Sequence, residues 1–410
     1  MSQRAWGVNA RLSSWFLLRL PVIARGAARV QAPRRVRTPS TPNDRVMQTS
    51  VAWVSDPTWY RDRRAADLRR SRNVNGTTEL ESHWGCCPVS SWSGTDAGPM
   101  LASRGHARCC ADKRAELPHL RPVGGLSYKH ARALLARSNA TGLLLIGDSL
   151  VEQIFQALLC KAWSEEFELQ LHPPQEHPRT RDARTWKKMY RATVLAANDT
   201  DALHFRMARY SNAPSAAGLT RLLEASNESI VLLATWFERD PQPARITTAR
   251  ALLAAAARAQ PHVRLLGVDG NVNHFPGGGY TASGKYPPAL TATAVGGGPN
   301  ASFTWRSDNA SCDSDMDGSA WEKVVAFNAA IAGLATELGV GIVPVSGLMR
   351  GMGSVHVGFG IDTYGGTGGR DCLHWCMVLG VYDGLARITF QSLVRETKNH
   401  TAARAKEDSS

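Results

Sequence analysis

Short apolar runs separated by helical segments are the feature that most restricts how this chain of 410 residues can fold. From about residue 136 onward, such runs occur at residues 143–146, 203–208, 230–233, 263–268 and 342–345. Continuous apolar strands that alternate with helices are typical of a parallel sheet covered on both faces. The pattern therefore predicts a doubly wound, flavodoxin-like α/β/α sandwich with a parallel sheet. Ligands of such sheets bind at the carboxyl ends of the strands.

Composition divides the chain into four parts. Residues 1–45 are predicted to be a targeting segment and linker. The first 43 of these residues are rich in arginine and contain no acidic residue, which fits a transit peptide, whereas the short apolar stretch within them fits a signal peptide or an N-terminal membrane anchor. Residues 46–135 hold two Cys-Cys pairs and many turn formers, which predicts a small Cys-rich accessory region. Residues 136–398 are the predicted main domain, which contains the strand and helix pattern, and residues 399–410 a tail.

The net charge of +13 is concentrated at the N-terminus. Eight arginines and no acidic residue lie in residues 1–43, which leaves +5 for the rest of the chain. A second arginine-rich run at 61–72 contains aspartates and is typical of a solvated helix face. Composition therefore argues against a nucleic-acid partner.

Glycosylation signals are unusually frequent. Seven of the fourteen asparagines stand in Asn-x-Ser/Thr sequons, and the eight cysteines are an even number. Both features are typical of a protein that passes through an oxidising compartment. They predict the secretory pathway, at the Golgi membrane or lumen, with organellar import as the alternative.

A candidate nucleophile follows the first apolar run of the predicted domain. Gly147 allows a tight turn, and Asp148 and Ser149 open the next helix, where unpaired backbone N–H groups can stabilise an oxyanion. Gly147 and Asp148 are therefore candidates for the oxyanion or substrate site beside Ser149. Asp and Ser are also favoured N-cap residues, so helix capping is the competing interpretation.

A candidate base lies near the other end of the chain. Asp371 and His374 are predicted to share one tight turn before a last helix at about 375–394, so that the carboxylate orients the imidazole and leaves its other nitrogen for Ser149. Cys372, His374 and Cys376 also have the ligand chemistry of a zinc site, but no fourth ligand stands at zinc-like spacing, and we predict no metal. Disulfides are favoured instead, and the candidate cysteines are Cys160, Cys312, Cys372 and Cys376.

The sequence Asp371–Cys376 resembles the C-terminal signature of the PC-esterase and trichome birefringence-like families. Their Gly-Asp-Ser block corresponds to residues 147–149, and their His-Phe-x-Gly-Gly loop is similar to the segment that contains Asn273 and His274. The resemblance covers about residues 136–395. It implies an SGNH-hydrolase fold, a catalytic triad of Ser149, Asp371 and His374, and action on the O-acetyl groups of polysaccharides. Asn273 and His274 are then candidates for substrate contact.

Two departures from the family pattern bear on function. Glu152 stands where the families usually have an arginine, and the side-chain oxyanion donor expected after the third strand is missing or replaced by Thr235. Trp236 beside it is a candidate for stacking on a sugar ring. We expect an O-acetyltransferase that acts on polysaccharide or glycan hydroxyls, with an acetyl donor such as acetyl-CoA and no bound cofactor. The alternatives are a carbohydrate O-acetylesterase and a non-catalytic glycan-binding relative; the sequence leaves the oligomeric state open.

Overall fold

The structure of the protein is a computed structural model. It describes residues 51–59, 62, 120–140, 142–175, 186–196, 199–210, 213–236, 244–259, 263–270, 293–295, 302–304, 318–350, 352, 356–360, 369–375 and 379–407. These residues all belong to the second of the two units into which the chain divides, residues 41–410.

Strands and helices alternate through most of the described chain. The strands are β1 Val51–Ser55, β2 Leu120–Gly124, β3 Gly142–Gly147, β4 Glu168–Gln175, β5 Trp186–Ala196, β6 Asp199–Tyr210, β7 Ile230–Ala234, β8 Arg264–Val268, β9 Thr293–Val295, β10 Ser302–Thr304, β11 Gly341–Val343, β12 His356–Gly360 and β13 Gly369–Trp375. The helices are α1 Tyr128–Ala136, α2 Ser149–Ser164, α3 Ala216–Glu224, α4 Arg245–Ala259, α5 Gly318–Glu337, α6 Val345–Met349 and α7 Leu379–Glu407.

Seven of the described strands form one central sheet in the order β11-β8-β7-β3-β6-β5-β4. The five strands from β11 to β6 are parallel, as the apolar runs predict, whereas β6, β5 and β4 pair antiparallel. Helices α1, α2 and α7 pack together as one group, and α3, α4 and α5 as another. The protein is therefore an α/β protein with a mostly parallel sheet flanked by helices, an arrangement compatible with three α/β/α layers.

The centre of the fold is β3 and the helix that follows it. All six residues of β3 and all sixteen residues of α2 are buried. A central parallel strand has sheet neighbours on both edges and helices on its faces, so it tolerates only apolar side chains and glycine. The apolar run at 143–146 is consequently deeply buried, with Leu144, Leu145 and Ile146 fully shielded from solvent.

Three described pieces of the predicted accessory region, β1, β2 and nearly all of α1, pack against the main fold. Strands β1 and β2 form an antiparallel pair that contacts α7, and the indole N–H of Trp53 donates to the carbonyl of Leu348, 2.9 Å away. The side chain of Val51 is 2% exposed and belongs to the main apolar core. The cysteine pairs between these strands lie outside the described residues.

A buried ion cluster joins three helices behind the sheet. The ammonium of Lys161 on α2 contacts the carboxylate of Asp383 on α7 and lies 3.0 Å from that of Glu165. Glu165 also accepts hydrogen bonds from the backbone N–H groups of Tyr128 and Lys129, which satisfies donors in the first turn of α1. Because a buried charge is tolerated only when it is paired, this cluster fixes how α1, α2 and α7 dock.

The last helix begins later than predicted and runs further. Strand β13 continues to Trp375, and α7 covers Leu379–Glu407, so the prediction of a helix from about 375 to 394 is wrong at both ends. Trp375 is 1% exposed, and its backbone is held by a side chain of α2, which accounts for its extended conformation. Within the described residues, every helix is too short or too polar to span a bilayer.

Candidate active site

Ser149 is the first residue of α2, directly beyond the carboxyl end of β3. The carboxylate of Asp148 caps the helix by accepting from the backbone N–H of Leu150 at 3.0 Å. A Cβ placed on Gly147 would lie 2.4 Å from Cγ2 of Val151 and 3.0 Å from Cβ of Ala234, so only glycine allows this close approach of helix and strands. Asp148 therefore performs the capping role, while Gly147 sets the position of Ser149.

Ser149 lies at the topological switch point of the sheet, where the order in which strands are added reverses. Strand β3 lies between β6 and β7, so the chain leaves β3 toward one edge of the sheet and later crosses over it to the other. The loops on the two sides of β3 diverge at this point, and a crevice at the strands' carboxyl ends is the usual ligand site of such sheets. The side chain of Ser149 is 6% exposed.

A second feature ties the C-terminal segment to this helix. The side-chain amide of Gln153 donates from Nε2 to the carbonyl of Trp375 at 2.7 Å, and its Oε1 accepts from the N–H of Trp375 at 3.2 Å. Residues four apart on a helix share one face, so Gln153 lies on the same side of α2 as Ser149. The residue next to His374 in the chain is therefore fastened one helical turn from the candidate nucleophile.

The segment that contains Asp371 and His374 is a strand with an irregular register, not the single tight turn predicted from the sequence. Trp375 pairs with His356 and Asp371 pairs with Gly358. Between these two pairs β13 contains two more residues than β12, which is a bulge in β13. A regular strand would direct residues three apart to opposite faces; extra residues in a bulge re-aim side chains. The side chains of Asp371 and His374 lie outside the described part of the structure, as does their distance from Ser149.

A pocket opens beside the start of α2. It holds about 330 Å³ of empty space, part of it open to solvent, and lies at the carboxyl ends of β3, β7, β8 and β11. Asp148 and Leu150, the two neighbours of Ser149, line it together with Trp375, and Asp269 closes another wall. Its other lining residues are Val151, Ile154, Ala234, Thr235, Trp236, Val268 and Val345. Ser149 itself is not a lining residue, so the pocket adjoins the candidate nucleophile.

Two residues after β7 have structural roles that limit their predicted functions. The hydroxyl and the backbone N–H of Thr235 both donate to the carbonyl of Val268, so the hydroxyl proton is not directed at an oxyanion. The guanidinium of Arg245 lies 3.7 Å from the ring centroid of Trp236, and Phe327 meets the same ring edge-on. One face of Trp236 is therefore covered, which opposes the predicted stacking on a sugar at that face.

Glu152, the residue that departs from the pattern of the resembled families, is paired with an arginine. Glu152 is fully buried in the first turn of α2, and its carboxylate contacts the guanidinium of Arg209 on β6. Arg209 stands opposite Gly147 in the register of β6 and β3. Tyr190 on β5 lies beside the pair; burial, and secondly the charge of Glu152, raise the pKa of its phenol. The guanidinium of Arg209 on β6 therefore lies next to the first turn of α2, which begins at the candidate nucleophile Ser149.

Asp269, directly after β8, heads a buried polar chain. Its carboxylate accepts from the backbone N–H of Ser346 at 3.0 Å and from the hydroxyl of the same serine. The amide of Asn328 donates to that hydroxyl at 2.9 Å and accepts from the N–H of Gly270 at 2.7 Å. Burial raises the pKa of Asp269 to about 7, and the hydrogen bonds from Ser346 act against the rise. A titratable carboxyl group thus forms one wall of the pocket.

Of the remaining predicted residues, Cys160 on α2 has a described side chain, and it is disulfide-bonded. The side chains of Cys312, Cys372 and Cys376 lie outside the described residues, as do Asn273 and His274. Among the side chains that the structure describes, no group of three or more His, Cys, Asp or Glu is arranged to hold a metal ion.

Comparison with known proteins assigns no family to the chain. No protein-family model matches the sequence, and no curated protein matches it significantly. The structure brings three further residues, Gln153, Arg209 and Asp269, to the candidate site. Of these, only Asp269 has a visible sequence signal, because it is an acidic residue directly after a buried strand.

Proposed function

We propose that the protein is an SGNH-type acyl-transfer enzyme, with Ser149 as nucleophile, His374 as general base and Asp371 as the residue that orients His374. The observation that carries this proposal is the anchoring of Trp375 by Gln153. It brings the backbone next to His374 to the face of α2 on which Ser149 lies, at the carboxyl end of the central strand. The residues 371–376 and 147–149 belong to the motifs on which the family resemblance rests.

The reaction proceeds in two steps, acylation of Ser149 and transfer of the acyl group to the acceptor. The oxygen of Ser149 attacks the acyl carbonyl carbon while its proton passes to His374; the bond to the leaving group then breaks, and the leaving group takes that proton. An acceptor hydroxyl next attacks the acyl-serine, gives its proton to His374 and takes the acyl group, and the proton returns to Ser149. The positive end of the α2 dipole lies next to the developing oxyanion.

The acceptor is a glycan or polysaccharide hydroxyl in the proposed O-acetyltransferase, and water if the protein is an acetylesterase. Three sequon asparagines with described side chains, Asn139, Asn227 and Asn399, are all exposed, which supports a protein that passes through the secretory pathway. The Golgi lumen or membrane is accordingly the proposed location. An acetyl donor such as acetyl-CoA would supply the acyl group.

A glycan-binding protein without catalysis is the second candidate. It is favoured because two potential oxyanion donors already donate to other groups of the protein. The hydroxyl of Thr235 donates to the carbonyl of Val268, and the N–H of Leu150 donates to the carboxylate of Asp148. Both donors would have to be replaced by other groups for efficient catalysis.

A covalent probe separates the two candidates. Residues 46–410, produced through a secretory pathway, are treated with a fluorophosphonate, which reacts with activated serines, and are then digested and analysed by mass spectrometry. The enzyme is expected to carry the label on Ser149 and to release acetate from nitrophenyl acetate or pass it to oligosaccharides. Absence of label and of turnover, together with binding of glycans, would leave the binding protein as the function.

Replacing Gln153 by methionine is expected to lower kcat by about 10- to 100-fold with a smaller change in KM. Methionine matches the volume of glutamine but makes neither hydrogen bond to Trp375, so the segment that carries His374 loses its anchor. The backbone N–H and carbonyl of Trp375 also lose the hydrogen bonds that Gln153 makes, and we expect the free energy of unfolding to fall by about 1–3 kcal/mol. Steady-state kinetics and urea unfolding measure the two effects.

Gln156→Met is the matched control, since Gln156 is a buried glutamine one turn further along α2. We expect this variant to retain kcat. An equal loss of kcat in both variants would show that the effect comes from general damage to α2 and not from the anchoring of Trp375.

A further inference from the structure

The pocket beside α2 has an uneven chemical lining. Most of its wall is apolar, including Leu150, Ile154 and Val345, and Trp375 adds an aromatic surface. Its charged lining groups are two carboxylates, Asp148 and Asp269, and none of the described lining residues is basic. Arg245 lies over the ring of Trp236 and is not itself part of the lining. The negative charge therefore borders directly on the space that a ligand would occupy.

The carboxylate of Asp269 is held in a fixed orientation. Both of its oxygens accept hydrogen bonds from Ser346, whose hydroxyl is in turn held by Asn328. Asp269 is 6% exposed, so a ligand in the pocket would meet the carboxylate with little water between them. Like charges brought together in such a desolvated place repel each other strongly, whereas a neutral group meets no comparable penalty.

We propose that this pocket binds the acyl group of the substrate and that Asp269 makes it selective for short, uncharged acyl groups over those that carry a carboxylate. The proposal rests on the acyl-transfer function proposed above. The pocket adjoins Ser149 through Asp148 and Leu150, its neighbours in the chain, and its mostly apolar wall suits an uncharged acyl group. Asp269 acts on specificity and takes no part in bond making.

A pair of esters of nearly equal length tests the charge selectivity in the intact protein. Nitrophenyl methyl glutarate and nitrophenyl hydrogen glutarate differ by one methyl group and one negative charge. At pH 8, where Asp269 with its pKa of about 7 is mostly ionised, we expect kcat/KM for the charged ester to be at least about tenfold lower. Rates are taken as the difference from the Ser149→Ala protein, which removes spontaneous hydrolysis.

Asp269→Asn is expected to reduce this discrimination at least threefold, because it removes the charge and keeps a side chain of the same shape. Ser346→Ala breaks the same hydrogen-bonded chain but retains the carboxylate, so we expect it to keep the discrimination. Thermal unfolding shows whether each variant is folded. If Asp269→Asn does not fold, the ratio of kcat/KM for the two esters in the wild-type protein is the test of the charge selectivity.

The outcomes separate the two proposals. Ser149-dependent turnover with equal kcat/KM for the two esters overturns the selectivity and leaves acyl transfer standing. Discrimination that is unchanged in a folded Asp269→Asn variant overturns the role of Asp269. If Ser149 takes no fluorophosphonate label and no ester, including nitrophenyl acetate, shows Ser149-dependent turnover with or without an oligosaccharide acceptor, acyl transfer is overturned and the acyl pocket with it.

Discussion

Ester hydrolysis and acetyl transfer are expected to fall by at least about a thousandfold when Ser149 is replaced by alanine. Removal of a serine nucleophile leaves only the contributions of binding and of the oxyanion donors. The fold should tolerate the change, because Asp148 caps α2 and alanine is a good helix former at the position that follows the cap. The measurement is kcat/KM on nitrophenyl acetate, with the melting temperature recorded for both proteins.

Ser164 supplies the matched control at the other end of the same helix. It is also buried, and its hydroxyl donates to the carbonyl of Lys161 at 2.9 Å. Ser164→Ala should therefore cost some stability and leave kcat/KM unchanged. Activity of Ser149→Ala within tenfold of the wild type would exclude Ser149 as the nucleophile.

A large loss of stability is expected from Gly147→Ala. The added methyl group would lie 2.4 Å from Cγ2 and 2.6 Å from Cβ of Val151, and 3.0 Å from Cβ of Ala234. Because α2 and β7 are both held in the core, neither can withdraw without loss of packing. We expect the free energy of unfolding to fall by about 3 kcal/mol, the upper part of the range for an overpacked core. Urea unfolding monitored by tryptophan fluorescence measures the change.

Gly333→Ala is the comparison that isolates steric conflict from the general effect of replacing glycine. Gly333 is exposed in the middle of α5, and a Cβ there would meet nothing within 4 Å. Alanine is favoured over glycine in a helix by about 1 kcal/mol, so this variant should be slightly more stable than the wild type. A Gly147→Ala protein as stable as wild type would show that α2 can move away from β7.

The buried parallel strands could be predicted from the sequence because continuous burial leaves a continuous apolar run. Strands β4 and β5 were not predicted, although their signal exists. Glu168, Leu169 and Gln170 alternate in polarity, and their burial alternates in the same way, as on an edge strand with one face toward solvent. Alternation of this kind is shorter and weaker than an apolar run, so the antiparallel edge appears only in the structure.

The position of Ser149 was predictable for a similar reason, since the end of a buried strand and the start of its helix are local features. The partners of Glu152 and Gln153 were not. Glu152 meets Arg209 because β6 is the neighbour of β3, and Gln153 meets Trp375 because β13 returns to α2. Both contacts depend on how distant segments are arranged, and no local pattern encodes that arrangement.

The contact between Gln153 and Trp375 has a consequence for synthesis of the chain. It joins residues that are 222 positions apart, so α2 is made long before the strand that it anchors. A nascent chain that already carries Ser149 cannot assemble the proposed triad until residue 375 has left the ribosome and packed onto the helix. Long-range contacts of this kind also form late in folding, because a large loop must close first. In the proposed reaction, acyl transfer would then begin only after β13 has packed onto α2, and chains truncated before residue 375 would be inactive however well their earlier part folds.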